Sequence, residues 1–194
     1  MARRRPRPYR IPKSARWLVK EAPAGPPPFR ATLEVINDLR AKGLFADYAI
    51  GGGIGAMRYT EPFETYDLDV FFIPSTSNLT AGIPAIYQEL SRRGYEPCKE
   101  HVVIEGLPVQ FLATDALTRE AVEQARTVAY ADLRVRFMSP EHLVAIAVGA
   151  GRKKDQLRVG IILDHVKVDK PKLDDILKRH GLVEAYWAIV GKKP

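Results

Sequence analysis

Apolar residues recur at helical spacing in the first patterned stretch of the chain. Leu33, Ile36 and Leu39 follow one another at intervals of three residues, which predicts a helix from about residue 29 to near Gly43. The apolar run at 48–50 that comes next is short enough for a strand. The patterned part of the chain therefore begins with a helix and then a strand.

Predicted strands and helices alternate along the middle of the chain, and the C-terminal part is predicted to be helical. Strands are predicted at 68–73, 101–105 and 108–113, with one or two more between 127 and 138. Helices are predicted at 54–59, 83–93, 115–125, 140–149, 152–166 and 171–190, the last with a break at Gly181. We expect an α/β (α+β) fold, with a core over 29–138 and a helical C-terminal part, 139–194, of the same domain.

The first 28 residues differ in composition from the rest. Arginines and lysines crowd this segment between prolines, and it ends in Gly25-Pro26-Pro27-Pro28. Such a sequence buries little apolar surface and does not easily offset the entropy cost of ordering. We therefore predict a basic arm at 1–28. Two interpretations of it stay open, a solvated tail and a contact for nucleic acid or another partner.

Charge and cysteine content narrow the class of protein. The 194 residues carry a formal net charge of +7, which favours polyanionic partners such as RNA, DNA or a nucleotide, although proteins that bind none also carry such charge. The single cysteine, Cys98, excludes an intramolecular disulfide and a Cys-x-x-Cys metal site. No apolar run approaches the roughly 18 residues of a membrane span, so we expect a soluble, cytoplasmic protein without membrane contact.

Three consecutive glycines, Gly51, Gly52 and Gly53, separate the strand at 48–50 from the short helix after it. Backbone approaches a phosphate closely only where side chains are absent, and a helix start offers free N–H groups to an anion. The same glycines are also compatible with an ordinary tight turn. They are a candidate phosphate cradle.

Two carboxylates, Asp67 and Asp69, lie at the start of the apolar strand at 68–73. Because side chains alternate along a strand, both point to the same face while Leu68 and Val70 enter the core. Carboxylate oxygens are the hard ligands that Mg2+ prefers. A polar strand end would show the same pattern, and a metal-binding pair is the functional alternative.

Glycine turn and carboxylate pair together are more specific than either alone, since nucleotidyl transfer needs a phosphate cradle beside a metal site. The order strand, glycine turn, helix, Asp-x-Asp strand resembles the DNA polymerase beta-type nucleotidyltransferase superfamily, near its minimal and toxin/antitoxin-associated AbiEii-like bacterial branches. The resemblance covers about 30–190 and includes Gly151-Arg152-Lys153-Lys154-Asp155. It implies a mixed sheet flanked by helices.

The resemblance also implies roles for individual residues. Asp67 and Asp69 would be the catalytic residues and would ligate Mg2+ or Mn2+, while the three glycines would hold the phosphates of an NTP. Arg152, Lys153 or Lys154 would offer positive charge to phosphate or substrate. The implied reaction moves a nucleoside monophosphate to a hydroxyl on RNA such as tRNA, on a protein or on a small molecule, with a cognate antitoxin as a further partner.

The sequence departs from the family pattern at two positions. Gln110 stands where these enzymes usually carry a third carboxylate, and an amide brings no negative charge and is a poor proton acceptor. Gly53 replaces a common serine, which removes a hydroxyl donor to phosphate. The alternative to an enzyme is therefore a catalytically weakened domain that binds nucleotide, nucleic acid or a protein partner.

Two groups of charged residues are compatible either with a contact to the nucleotide or with ordinary exposure to solvent. Arg58 lies one turn into the short helix, from which it reaches either a phosphate or solvent. Lys154 and Arg158 are four residues apart and share a helical face, which is either solvated, with Asp155 paired to a lysine, or part of the nucleotide site. The four histidines show no zinc-ligand spacing.

Overall fold

A computed structural model describes residues 28–63, 65–75, 79–130 and 132–191. The predicted basic arm therefore lies outside the described residues except for Pro28, as do the last three residues of the predicted C-terminal part. Within these ranges, no helix combines the length and the apolar character that a membrane crossing requires.

The described chain forms strands and helices in a mixed order. The strands are β1 (Phe45–Ile50), β2 (Leu68–Pro74), β3 (Pro97–Cys98), β4 (His101–Ile104), β5 (Leu107–Ala113), β6 (Arg126–Tyr130) and β7 (Leu133–Phe137). The helices are α1 (Pro28–Ala41), α2 (Gly52–Met57), α3 (Leu79–Arg92), α4 (Ala116–Glu123), α5 (Pro140–Ala150), α6 (Lys153–His165), α7 (Lys170–Arg179) and α8 (Val183–Val190).

All seven strands join one sheet in the order β3-β4-β5-β2-β1-β7-β6. The pairs β2–β5 and β1–β7 are parallel, and the remaining neighbours are antiparallel. The sheet is thus mixed, and helices cover it on both faces. This confirms the predicted fold class.

Each face of the sheet has its own apolar core. On one face, buried residues of α1 and α3 pack against Leu68, Val70 and Phe72 of β2. On the other face, α4, α5, α6 and α7 form a second core, against which Phe71 packs. Since side chains alternate along β2, Asp69 shares the second face with Phe71. The carboxylate therefore faces the C-terminal helices.

Most predicted elements are present, with three differences. The helix predicted at 171–190 is two helices, α7 and α8, separated around Gly181, whose φ is +66°. The two-residue strand β3 was not predicted, because so short a strand carries no periodic signal. The short helix begins at Gly52 rather than at residue 54, so that two of the three glycines belong to α2.

Glu120 of α4 ties three helices of the second face together. It accepts hydrogen bonds from His142 Nε2 of α5 at 3.1 Å and from His180 Nε2, directly after α7, at 2.8 Å. It also pairs with Arg179, whose Nη2 donates at 2.9 Å. The hydrogen bonds from Arg179 hold the pKa of Glu120 well below its usual range. The charged form of Glu120 therefore stabilises the packing of α4, α5 and α7.

Removal of this charge should destabilise the fold. We expect Glu120→Gln to lower the free energy of unfolding by about 1–3 kcal/mol, because three donors lose a charged acceptor. Since the pKa of Glu120 is lowered by folding, its stabilisation is present at neutral pH and is lost as the pH falls below the ordinary value of 4.5. Urea unfolding should therefore give free energies of unfolding for the natural protein and Glu120→Gln that differ at neutral pH and converge in acid.

The matched control is Glu123→Gln on the same helix, where the side chain is 57% exposed and its ion pair with Arg119 is 3.8 Å long. Its effect on the free energy of unfolding should be small. Equal destabilisation by the two variants would contradict the assigned role of Glu120.

Candidate functional site

The glycine turn and the carboxylate pair meet where β1 and β2 lie side by side. Ile50, the last residue of β1, is opposite Val70 of β2. The Gly51 N–H then donates to the Asp69 carbonyl oxygen at 3.1 Å. Antiparallel pairing therefore places the turn that follows β1 directly beside the residues that open β2.

Gly52 contacts the Asp69 carboxylate so closely that no side chain fits between them. A Cβ on Gly52 would overlap Asp69 Oδ2, and Gly52 also has a φ of +56°, a conformation that other residues rarely adopt. A Cβ on Gly51 would lie 2.6 Å from the Phe71 ring. Gly52 is thus required by the packing of the carboxylate and Gly51 by the packing of the Phe71 ring, which an ordinary exposed turn would not require.

Thr65 supplies a hydroxyl that the sequence pattern did not reveal. A Cβ on Gly53 would overlap Thr65 Oγ1, so the threonine hydroxyl lies in the space of a side chain at position 53. Gly53 is the position where the resembling family commonly has serine. The only sequence signal for Thr65 was its spacing of two residues from Asp67, which in an extended chain puts both side chains on the same face.

Asp69 is a half-buried carboxylate with another carboxylate nearby. The pKa of Asp69 is raised to about 6, chiefly by burial and also by the charge of Asp67, while Arg158, Lys154 and Arg152 act in the opposite direction. The structure therefore brings the two predicted carboxylates together electrostatically. Their shared negative charge fits a cation.

The two carboxylates fit an ion such as Mg2+, which takes its remaining ligands from water and substrate. Among the described residues, no three side chains of the His, Cys, Asp and Glu types group into a metal-binding set. Mg2+ is usually held by one or two carboxylates, with waters and substrate phosphates filling its remaining positions. Asp67 and Asp69 match that pattern.

Gln110 and His101 flank the two carboxylates. Gln110 of β5 is the register partner of Asp69 on the parallel strand β2. His101, on β4, places Nε2 at 3.3 Å from Asp67 Oδ2. Sequence reasoning missed His101 because it tested histidines only for zinc spacing, whereas the β4–β5 hairpin brings this residue to the site.

The start of α6 carries one buried carboxylate among more exposed cations. Asp155 is 1% exposed, and it pairs with Arg152 and Arg158 instead of a lysine. A solvated face therefore does not describe Asp155, while a role of Lys154 and Arg158 in a nucleotide site stays a prediction. Lys154 is exposed, and its charge still acts on Asp69.

A cavity of about 150 Å³ is lined by Asp69, by Gln110 and by the two arginines that pair with Asp155. Its lining comes from α2, β2, β5, α5 and α6 and consists of Gly52, Asp69, Phe71, Gln110, Leu112, Leu143, Ile146, Ala147, Ala150, Arg152, Asp155 and Arg158. A larger cavity of about 710 Å³ shares Phe71, Leu112, Ile146, Ala150 and Arg152 with it. The two cavities are therefore neighbours with a partly common lining.

Arg58 lies elsewhere. It is the C-cap residue of α2, exposed, with its guanidinium carbon 5.9 Å from the centre of the Tyr59 ring. Among the described residues, those that line the small cavity include Gly52 but not Arg58.

Comparison with known proteins identifies the fold. No protein-family model matches the sequence, and no curated protein does. The chain is similar to an antigenic nucleotidyltransferase-like protein from Paracoccidioides brasiliensis, with a TM-score of 0.51 and 14% identity, over 83% of this chain and 92% of that chain. The chain has a nucleotidyltransferase fold. At this identity the likeness concerns the fold.

Two further solved structures are similar over most of this chain. The antibiotic-resistance factor ANT(2'')-Ia gives a TM-score of 0.48 at 14% identity, over 82% of this chain and 93% of that chain. The Megavirus polyadenylate synthase gives 0.45 at 13% identity, over 81% of this chain and 36% of that chain.

A side chain at position 52 should disturb both the backbone and Asp69. We expect Gly52→Ala to lower the free energy of unfolding by about 1 kcal/mol for the backbone conformation and by about 1–3 kcal/mol more for the overlap. Gly43→Ala is the matched control, since Gly43 has a φ of +77° and open space around its Cβ position. Chemical denaturation measures the free energy of unfolding of both variants. Equal losses would mean that the contact with Asp69 adds no constraint.

Proposed function

We propose that this protein is a metal-dependent nucleotidyltransferase that moves a nucleoside monophosphate from an NTP to a hydroxyl acceptor. The observation that carries this proposal is the direct contact between the Gly52 backbone and the half-buried Asp69 carboxylate. Within a nucleotidyltransferase fold, this contact supports a backbone cradle for phosphate beside a carboxylate ligand for a metal. Neither feature alone would support the reaction.

Asp67 and Asp69 would hold Mg2+ or Mn2+ through their carboxylate oxygens. The bound metal would supply Lewis-acid stabilisation of charge on the triphosphate and on the attacking oxygen. Gly51, Gly52 and Gly53 would let phosphate oxygens approach the backbone N–H groups, with the Thr65 hydroxyl in place of the family's serine. Arg58 is left out of this proposal, because its guanidinium lies over Tyr59.

In the proposed reaction, the acceptor oxygen forms a bond to the α-phosphorus while the bond to the β-phosphate oxygen breaks. The acceptor hydroxyl gives its proton to solvent water, and pyrophosphate leaves with the electron pair of the broken bond. Arg152 and Lys154 would offset the charge that builds up on this leaving group. Both lie close enough to Asp69 to lower its pKa.

We propose RNA such as tRNA as the acceptor, with a protein or a small molecule as the outcomes that the experiment separates. The net charge of +7 and the basic residues before position 28 favour a polyanion. A toxin–antitoxin role with a cognate antitoxin remains a prediction from the sequence resemblance alone, and a cytoplasmic location remains one from composition.

Gln110 favours a second candidate function, a domain that binds nucleotide, nucleic acid or a protein partner without turnover. It is the neighbour of Asp69 across β2 and β5, and we propose that it occupies the place of the third carboxylate. Its amide is a poor proton acceptor. This candidate predicts binding of an NTP without transfer.

Labelled nucleotides distinguish the two functions. With Mg2+ or Mn2+ and each NTP labelled on its α-phosphate, we expect label to appear on total tRNA. Transfer should fall at least about 100-fold in an Asp67→Asn/Asp69→Asn variant, as expected for loss of metal ligands. Asp164→Asn, an exposed carboxylate of α6, is the control.

The outcomes separate cleanly. Label on the protein itself or on a small molecule would reassign the acceptor. NTP binding without transfer would support the binding domain. The absence of both NTP binding and transfer would contradict the transferase and a nucleotide-binding domain alike.

A carboxylate at position 110 should strengthen turnover. We expect Gln110→Asp to raise the rate of label transfer at least about 10-fold, since a proton acceptor is added beside Asp69. Gln110→Asn changes the length without adding charge and is the control. Unchanged or lower transfer in Gln110→Asp would show that the amide does not limit the reaction.

A further inference from the structure

The buried carboxylate of Asp155 has both of its oxygens occupied by arginines. Arg152 Nε donates to Oδ2 at 2.5 Å, and Arg158 Nη1 donates to Oδ1 at 3.1 Å. With the Asp155 side chain 1% exposed, such a carboxylate is costly unless it is paired. The pairing fixes two guanidinium groups at the wall of the small cavity.

Arg158 keeps hydrogen-bonding capacity that the described protein does not use. Its side chain is 16% exposed, and its buried Nε has no hydrogen-bond partner within the described ranges. A buried donor without a partner costs about 1–3 kcal/mol. Guanidinium groups present several donors in a fork that matches phosphate oxygens. An anion in the cavity would use these donors.

The charges around the cavity favour a phosphate chain over a simple anion. Arg152 and Arg158 bring two positive charges, of which Asp155 balances one, and Lys154 adds another from the surface of α6. Asp69 and Gly52 line the same cavity. A metal-bound polyphosphate would supply positive charge for Asp69 and negative oxygens for the arginines. A monoanion would leave part of this arrangement unused.

We infer that Arg158 and Arg152 bind the pyrophosphate portion of the nucleotide, and that Asp155 is a positioning residue that aims both guanidinium groups at it. This inference rests on the proposed function and adds the site of the leaving group to it. Arg158 would be a binding residue in contact with the β- and γ-phosphates. Asp155 acts only through the two arginines.

Calorimetric titration with inorganic tripolyphosphate in the presence of Mg2+ tests the site without turnover. We expect Arg158→Gln and Asp155→Asn each to weaken binding at least about 10-fold, as for a lost charge-assisted contact. Arg158→Lys keeps the positive charge without the forked guanidinium, so its affinity for tripolyphosphate should fall less than that of Arg158→Gln. Arg119→Gln, an exposed arginine of α4, should bind as the natural protein does.

Thermal unfolding of each variant separates binding from folding. Arg152→Gln changes a side chain that is 63% exposed, so it should stay folded and still weaken tripolyphosphate binding. Wild-type affinity in folded Arg152→Gln and Arg158→Lys, with a lower melting temperature only in Asp155→Asn, would overturn the inference and make the cluster a structural clamp.

Label transfer keeps this inference distinct from the proposed function. Loss of tripolyphosphate binding in the variants of a protein that never transfers label would support the phosphate site while the transferase proposal fails. Label transfer by a natural protein that binds no tripolyphosphate, with variants equally active, would overturn the phosphate site and leave the transferase proposal standing.

Discussion

The site depends on the absence of a side chain at Gly52. The Asp69 carboxylate lies where a Cβ would be, so α2 begins directly against the strand that carries the acid. Burial is the main reason that the pKa of this carboxyl is raised to about 6. A partly compensated carboxylate of this kind favours a cation, and we propose that the same missing side chain lets phosphate approach the backbone.

The compensating charge comes from residues at the start of α6 that line the same cavity. Arg158 and Arg152 lower the pKa of Asp69, and Asp155 holds these arginines in place through both of its oxygens. Asp69 and the two arginines thus line one small cavity. Within the described ranges, the buried Nε of Arg158 has no hydrogen-bond partner. Polyphosphate with its metal is the ligand class that we propose for this arrangement.

Helices from the C-terminal half close the site over the sheet. Their attachment relies on a polar connection as well as on apolar packing, since Glu120 links α4 to α5 and to the end of α7. Because α5 packs against α6, a loss of that link would also reach the arginines. The candidate site and the stability of the helical layer are therefore coupled through the same face of the sheet.

Local pattern determined the fold class, the Asp67 and Asp69 pair and the glycine turn, because periodicity and glycine content are properties of neighbours in sequence. The structure makes Gln110 the register partner of Asp69 on the neighbouring strand. That Gln110 takes the place of the family's third carboxylate stays a prediction from the sequence resemblance. His101, Thr65 and the burial of Asp155 emerged only from tertiary structure. Each depends on contacts between elements distant in sequence, which no local periodicity encodes, and only packing decides whether a charged residue faces solvent or a cavity.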